Sequence, residues 1–201
     1  MDKETINSYN READIIQKLH STLTPSRIYE LIEKYFIKGK MTADIGCGIG
    51  RDSYSLNQQG FPVIGIDASK EMLKQALLFY PNLIFKEDFL PELTSLNNSI
   101  FKNILCSAVL MHLNNDAIKM ACYRLIQLLE IDGRLIISIR GTNEKDKREN
   151  GKLYEEIDIE SFGDFFIKNN CEILLYESEV EQKRQLTWHN FVIKKLIFPI
   201  A

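Results

Sequence analysis

Apolar residues recur along this chain in two patterns, one with the period of a helix and one in short unbroken runs. The clearest helical pattern follows Asn114, where apolar residues stand at i, i+3, i+4, i+7, i+10 and i+11 and predict one buried helix face. These residues are Ile118, Ala121, Cys122, Leu125, Leu128 and Leu129. The long helix is therefore expected to begin at Asn114 and to end before Gly133.

Four weaker patterns predict further helices. One starts at Thr24-Pro25, with Thr24 as the N-cap, and ends at Gly39. A second runs from about Arg51 to Gly60, a third follows the capping residue Ser69, and a fourth spans residues 158–169. The residues expected to face inward in the first and third of these helices are Ile28, Leu31, Ile32, Tyr35, Met72, Leu73, Ala76 and Leu77.

The unbroken apolar runs predict strands. Five of them, at residues 41–45, 62–67, 83–85, 101–109 and 135–139, alternate with the helices, as in a parallel sheet covered on both faces. Two more runs, 172–180 and 186–197, are separated by residues 181–185, which are too few for a crossover helix. We therefore expect an α/β fold with a doubly wound, seven-stranded, mostly parallel sheet that ends in an antiparallel hairpin.

Composition narrows the class of protein without changing this picture. The 201 residues are 45% hydrophobic and carry a formal net charge of −3, which fits one globular domain without a basic surface for nucleic acid. The four cysteines form no CxxC pair, the N-terminus is polar, and no apolar run is long enough to span a bilayer. We expect a soluble, cytoplasmic protein with no membrane or nucleic-acid partner, and we assign no metal ligands.

Glycines follow the first predicted strand at Gly46, Gly48 and Gly50 and lead into a helix. Glycines at such a place let backbone amides approach a ligand closely. Asp44 at the strand end either accepts a hydrogen bond from a ligand amine or orients the loop. Asp67 ends the second strand about 20 residues after Gly46, where an acid reaches the hydroxyls of a ribose. Together they indicate a nucleoside-type cofactor, the alternative being a tight turn and a helix cap.

Three features favour S-adenosylmethionine over NAD as this cofactor. A dinucleotide loop leaves two residues between its second and third glycines, whereas one residue separates Gly48 from Gly50. The third strand leads into Asp88 and Phe89, a carboxylate for the adenine amino group and an aromatic ring for its face. A closing antiparallel hairpin is also unusual for a nicotinamide-binding domain.

The sequence resembles the class I S-adenosylmethionine-dependent methyltransferases, in particular their small-molecule branch. The resemblance lies in residues 43–51, 63–73 and 88–89, and more loosely in 107–113, 129–135 and 8–13. It implies a Rossmann-like methyltransferase fold in one domain, with a helical lid at 1–40, a cofactor-binding core at 41–140 and a substrate side at 141–201. The cofactor-binding residues that it implies are Asp44, Gly46, Cys47, Gly48, Gly50, Arg51, Asp67, Ala68, Met72, Asp88, Phe89, Ser107 and His112.

Candidate catalytic and substrate-binding residues follow from the same comparison. His112 comes after the fourth strand and has a side chain whose ordinary pKa suits a general base, or else it only packs there. Tyr9 matches the lid tyrosine that comes near the reactive sulfonium. Arg140 ends the fifth strand and pairs with a substrate anion or with a neighbouring acid. The segment 141–156, with Tyr154, either folds over the acceptor or forms a variable surface loop.

Absent motifs bear on the methyl acceptor. After the fourth strand the chain reads Ser107-Ala108-Val109-Leu110, without the Asp/Asn-Pro-Pro-aromatic run of amino-methyltransferases that act on bases or glutamine, and it has no Pro-Cys pair. We therefore expect a small metabolite as acceptor. The alternatives are a protein side chain, a thiol or metalloid compound, and a domain that binds S-adenosylmethionine without catalysis. The chain lacks the loop spacing and the Tyr-x-x-x-Lys pair that are expected of an NAD-dependent oxidoreductase.

Overall fold

Six α-helices and nine strands form within the described part of the chain. The computed structural model describes residues 2–20, 22–142, 144, 147–181 and 185–197. The helices are α1 (Lys3–His20), α2 (Ser26–Tyr35), α3 (Arg51–Gln58), α4 (Lys70–Phe79), α5 (Asn115–Leu128) and α6 (Ile159–Lys168), with a 3₁₀ turn at Leu110–His112. None of these helices combines the length and the apolar character that crossing a bilayer requires.

Seven strands form the main sheet and two form a small separate hairpin. The main strands are β1 (Thr42–Ile45), β2 (Val63–Asp67), β3 (Ile84–Glu87), β4 (Phe101–Ser107), β5 (Leu129–Arg140), β8 (Cys171–Glu181) and β9 (Leu186–Lys195). The hairpin consists of β6 (Lys147–Glu149) and β7 (Lys152–Tyr154). Of the predicted turn 181–185 between the last two strands, residues 182–184 lie outside the described residues.

The order of strands in the sheet is β3-β2-β1-β4-β5-β9-β8. Strands β1 to β5 pair in parallel, whereas β9 pairs antiparallel with both β5 and β8. The seven-stranded, mostly parallel sheet with its antiparallel ending is therefore confirmed. Because the chain moves outward from β1 to β3 and then returns to β4 on the other side, the order reverses between β1 and β4. In an open α/β sheet, a ligand binds at the carboxyl edge beside such a reversal.

Both faces of the sheet are covered by apolar clusters, as the near-continuous apolar strands require. One face packs against α5 and α6 through residues such as Ile118, Leu125 and Phe166. The other packs against α2 through Leu31 and Ile32. Tyr35 is partly buried beside this second cluster. The predicted inward faces of the long helix and of the helix after Pro25 are thus confirmed.

Three local predictions differ from the structure. Thr24 does not cap α2 with its side chain; the N-cap is Pro25, which has no side-chain cap bond. Leu77 is 49% exposed, because the buried face of α4 is narrow and holds Met72, Leu73 and Ala76. Leu129 belongs to β5 and not to the long helix, because α5 stops at Leu128 and the backbone extends at once.

Within the predicted polar segment 141–156, residues 147–154 form a hairpin. This β6–β7 hairpin turns at Asn150-Gly151, where both residues have positive φ, 51° and 80°. An Asn-Gly pair is a strong signal for a two-residue hairpin, because its backbone angles suit Asn and Gly. The Asn150-Gly151 pair can be read from the sequence, but it lies in a polar segment and was therefore included in the predicted loop.

Gly46 is the glycine whose side-chain position is most crowded. Its φ is +76°, and an added Cβ would lie 2.2 Å from Cγ2 of Val109. Both the backbone conformation and the close approach of the segment after β4 therefore require glycine at this place. Gly39 shares the positive φ, +69°, but an added Cβ there would meet nothing within 4 Å.

We predict that Gly46→Ala lowers the free energy of unfolding by about 2–4 kcal/mol, since strain and overpacking add. Gly39→Ala, which introduces strain alone, should cost about 1 kcal/mol. Urea denaturation of the two variants measures both values. Adding Val109→Ala to Gly46→Ala should recover part of the loss, and equal costs for the two glycine variants would contradict the steric account.

Candidate active site

A cavity of about 620 Å³ opens at the carboxyl edge of the sheet, where the strand order reverses. Its volume is within the range of small-molecule sites. Residues from α1, the loops after β1 to β4, the start of α2 and the β8–β9 hairpin line it. Those among them that the sequence predicted as site residues are Tyr9, Gly46, Cys47, Gly48, Arg51, Asp67, Ala68, Met72, Asp88, Phe89, Ser107, His112 and Tyr154.

The glycine loop is fastened to β2 by its own amides. The backbone N–H groups of Gly46 and Cys47 donate to the carbonyl oxygen of Ile66, at 2.7 and 3.0 Å. The N–H of Gly48 donates to Oδ2 of Asp67 at 2.8 Å. These three amides are therefore engaged within the protein, so they do not offer a ligand the anion-binding donors of a phosphate loop.

Asp67 is the acid on which this arrangement converges. Besides Gly48, its carboxylate accepts the backbone N–H of Ser69 at 2.8 Å through Oδ1. Burial raises the pKa of Asp67, while the bonds from Ser69 and Gly48 act in the opposite direction. A carboxylate has about four acceptor sites, so Asp67 keeps acceptor capacity beyond these backbone bonds. Because Asp67 lines the cavity, hydroxyl donors of a ligand can use these sites.

Asp44 lies behind the loop, in a different position from Asp67. It is 2% exposed, and its Oδ2 accepts the hydroxyl of Ser53 at 2.6 Å. Burial and the nearby Asp52 raise the pKa of Asp44 to about 7. Its contact is with α3 and it is not among the residues that line the cavity. Of its two predicted roles, this position supports orientation of the loop.

Asp88 and Phe89 form the wall beyond β3. The carboxylate of Asp88 accepts the backbone N–H groups of Phe89 and Ser95, both at 2.8 Å, and so shapes its own loop. Phe89 is 47% exposed at the edge of the cavity. Met72 lines the same side and is buried, its backbone N–H capped by the hydroxyl of Ser69 as predicted.

Tyr9 and His112 meet across the cavity although 103 positions separate them. Nδ1 of His112 lies 2.6 Å from the carbonyl oxygen of Leu153, and Nε2 lies 3.0 Å from the hydroxyl of Tyr9. A carbonyl only accepts, so Nδ1 carries the proton and Nε2 accepts the Tyr9 O–H. Burial lowers the pKa of His112 to about 4, which makes it a weaker base than its ordinary pKa indicated. Burial also raises the pKa of Tyr9.

Arg140 and Tyr154 form a second contact group beside His112. The guanidinium of Arg140 makes two bonds to the carboxylate of Glu149, at 2.7 and 2.8 Å, and lies 4.2 Å from the ring centroid of Tyr154. The ring of Tyr154 is 5.0 Å from that of His112. Arg140 therefore pairs with a neighbouring acid, one of its two predicted roles, and does not itself line the cavity.

Several lining residues come from β5, β8 and β9, and sequence reasoning did not assign them to the site. They are Ser138, Glu179, Glu181, Trp188 and Asn190. Their place depends on how β5, β8 and β9 align, and alternation along one strand does not report that alignment. The buried Lys152 was also missed; it pairs with Glu12 and lies 5.0 Å from the ring centroid of Tyr9.

Comparisons with known proteins agree with this architecture. Residues 43–133 match the family model described as "Methyltransferase domain". A ubiquinone biosynthesis O-methyltransferase of Xylella fastidiosa is 31% identical over 127 residues, which cover 61% of this chain and 50% of that protein. The chain thus spans about half the length of the curated relatives it matches.

Two solved structures share the fold across most of the chain. A Burkholderia thailandensis 1,6-didemethyltoxoflavin-N1-methyltransferase, bound to 1,6-didemethyltoxoflavin and S-adenosylhomocysteine, superposes with a TM-score of 0.78 at 18% identity and covers 96% of this chain and 88% of its own. An S-adenosylmethionine-dependent methyltransferase of Methanosarcina mazei gives 0.72 at 17% identity, covering 88% and 99%. The resemblance predicted from the motifs is confirmed: residues 43–133 match a methyltransferase-domain model, and the chain shares the Rossmann-like fold of solved S-adenosylmethionine-dependent methyltransferases.

The raised pKa of Asp44 generates a prediction about stability and pH. The carboxyl of Asp44 has a pKa of about 7 in the folded protein and about 3.9 in the unfolded chain, so it binds its proton more tightly when the protein is folded. Protonation therefore stabilises the folded state. Its stabilising contribution is complete below pH ~4 and is lost as the pH rises to about 7. The free energy of unfolding of the wild type should therefore fall more steeply between pH ~4 and ~7 than that of Asp44→Asn.

Chemical denaturation at a series of pH values, without added ligand, measures this difference. Asn keeps the shape of the side chain and an oxygen for the Ser53 hydroxyl, and it has no charge to titrate. Glu87→Gln, at an exposed position, is the matched control and should follow the wild type. Parallel curves for Asp44→Asn and the wild type would contradict the assignment.

Proposed function

We propose that this chain transfers a methyl group from S-adenosylmethionine to a small-molecule acceptor by in-line displacement. The observation that carries the proposal is that one cavity joins the Asp67-fastened glycine loop to the Tyr9–His112 pair. The loop provides a place for a nucleoside cofactor. The tyrosine and histidine provide polar groups for an acceptor.

The residues present fit S-adenosylmethionine better than a dinucleotide. A pyrophosphate needs free amide donors, but those of Gly46, Cys47 and Gly48 are engaged within the protein. Such a loop suits a ligand with a positive charge and hydrogen-bond donors. Asp67 would accept the ribose hydroxyls, while Met72 and Phe89 supply apolar surface for the purine. The solved 1,6-didemethyltoxoflavin-N1-methyltransferase holds S-adenosylhomocysteine, which supports this choice of cofactor.

The cofactor supplies a methyl group that is already activated by a positive sulfur, so the protein has to align the acceptor and exclude water. Helix α1 covers the cavity and is fixed there by the β6–β7 hairpin. The Ser8 hydroxyl donates to the Asn150 carbonyl oxygen at 2.6 Å, and Lys152 pairs with Glu12. We assign α1 the role of the lid, since it carries Tyr9 into the site.

Tyr9 and His112 would handle the proton of the acceptor. The Tyr9 hydroxyl donates to Nε2 of His112, so its oxygen can accept a hydrogen bond from an N–H or O–H on the acceptor. A proton leaving the acceptor would pass to the Tyr9 oxygen as the tyrosine proton moves to His112. Because burial holds the pKa of His112 near 4, the ring does not keep that proton for long. The pair therefore orients the acceptor and moves its proton only as the methyl group arrives.

A small acceptor is favoured by the shape of the site. The cavity of about 620 Å³ has to hold the cofactor and the acceptor together, and α1, β8 and β9 wall its acceptor side. A folded protein substrate would have to insert a side chain through these elements. The names of two of the methyltransferases described above place their activity on 1,6-didemethyltoxoflavin and in ubiquinone biosynthesis. Both names refer to small-molecule substrates.

We predict that Asp67→Ala weakens the binding of S-adenosylmethionine by about 1–3 kcal/mol, because charge-assisted hydrogen bonds and the support of the loop are lost together. Isothermal titration calorimetry measures the dissociation constant. Glu87→Ala is the matched control, since Glu87 is paired with Asp67 in the sheet but is exposed outside the cavity. An unchanged dissociation constant for Asp67→Ala would remove Asp67 from the cofactor site.

Incubation of the protein with methyl-labelled S-adenosylmethionine and a metabolite extract tests the function. Label should enter the small-molecule fraction, and Asp67→Ala should reduce this incorporation. Tyr9→Phe should slow it about 10²-fold or more, because the hydroxyl that aligns the acceptor is missing. Label in the protein fraction would point to a protein acceptor. Cofactor binding without any incorporation would favour a non-catalytic binding domain.

A further inference from the structure

Two buried polar side-chain atoms have no hydrogen-bond partner in the described part of the chain, and both lie on the strands beside the cavity. They are Oδ1 of Asn190 on β9 and Nε of Arg140 on β5. An unpaired buried polar group is costly and calls for an explanation. Of the two residues, Asn190 lines the cavity and Arg140 does not.

The amide of Asn190 is held in one orientation by two carboxylates. Its Nδ2 donates to Glu177 at 3.3 Å and to Glu179 at 3.4 Å. Glu177 is itself held by two bonds from Arg27, at 2.6 and 2.7 Å. Rotation of the amide would turn its oxygen against the carboxylates, so Oδ1 is fixed as an acceptor that points away from them.

Asn190 belongs to a polar row that crosses the sheet on the α2 side. In register, Ser107 pairs with Ser138, and Ser138 pairs with Asn190. Directly paired residues point to the same face of a sheet. Two positions earlier in β5, Ile136 packs with α2, which shows that this row faces the α2 side as well. Ser107, Ser138 and Asn190 all line the cavity, beyond the glycine loop.

We propose that Asn190 selects the methyl acceptor, by accepting a hydrogen bond at Oδ1 from an N–H or O–H group of that molecule. This inference rests on the proposed function, because it concerns the acceptor side of the same cavity. Asn190 is 0% exposed and lines the cavity. Glu179, which is exposed and bonded to the amide, lies at this edge of the cavity.

The chemical class of the acceptor follows from Oδ1 of Asn190 alone, because Arg140 does not line the cavity. A molecule with an N–H or O–H donor matches this atom, as in a lactam, a carboxamide or a hydroxy-heteroaromatic ring. A ligand that lacks the donor leaves Oδ1 unpaired and is rejected for that reason.

Matched fragment pairs test the proposal without knowledge of the natural acceptor. The pairs are 2-pyridone and N-methyl-2-pyridone, uracil and 1,3-dimethyluracil, and phenol and anisole, each member with and without the donor. Ligand-observed NMR titration measures their binding to protein saturated with S-adenosylhomocysteine. In the wild type, the donor-bearing member of at least one pair should bind about tenfold or more tightly than its methylated partner.

Variants at Asn190 assign this preference to the amide. Asn190→Leu and Asn190→Val remove the acceptor oxygen and should bring the ratio within a pair to about one. Two apolar variants are used so that misfolding of one, detected by its melting temperature, leaves the other to decide.

Two outcomes would overturn the proposal: no pair shows a preference in the wild type, or the preference survives in the folded apolar variants. Binding of S-adenosylmethionine is measured separately by calorimetry. If the cofactor does not bind, the proposed function fails, and the fragment titrations repeated without S-adenosylhomocysteine still decide the role of Asn190.

Discussion

The two hydrogen bonds that the Asp67 carboxylate accepts from the backbone of Gly48 and Ser69 are the interaction on which the site depends. They join the loop after β1 to the start of α4. Gly46 and Cys47 add their bonds to Ile66, so the loop cannot relax away from β2. This fixed loop lines the cavity, and its N–H groups at Gly46, Cys47 and Gly48 donate to protein acceptors instead of a ligand phosphate. The same bonds therefore shape the site and restrict its chemistry.

The part of the cavity that carries Tyr9 and His112 is assembled from segments that are distant in sequence. Tyr9 reaches His112 only because the β6–β7 hairpin fixes α1 over the sheet, through contacts such as Lys152–Glu12 and Arg148–Asp2. Leu153, in the same hairpin, sets the tautomer of His112 through its carbonyl oxygen. One small hairpin thus holds α1 in place and orients the imidazole, which links the position of Tyr9 to the geometry of His112.

The alternation of apolar runs and helical periods was enough to predict the sheet, its antiparallel ending and most helix boundaries. The loop glycines and Asp67 were also readable, because strand, turn and acid lie close together in sequence. Asn190 and Lys152 were not, since their positions depend on strand register and on packing between remote segments. His112 is a weaker base than the sequence suggested, because burial lowers its pKa to about 4. No local sequence pattern reports such burial.

The central claim is that the fastened loop holds S-adenosylmethionine and not a dinucleotide. Calorimetric titration of the protein with S-adenosylmethionine, S-adenosylhomocysteine and NAD tests it most directly. The account predicts saturable binding of the first two and no binding of NAD, because the engaged amides cannot hold a pyrophosphate. Tight binding of NAD, with no heat from the other two ligands, would contradict it.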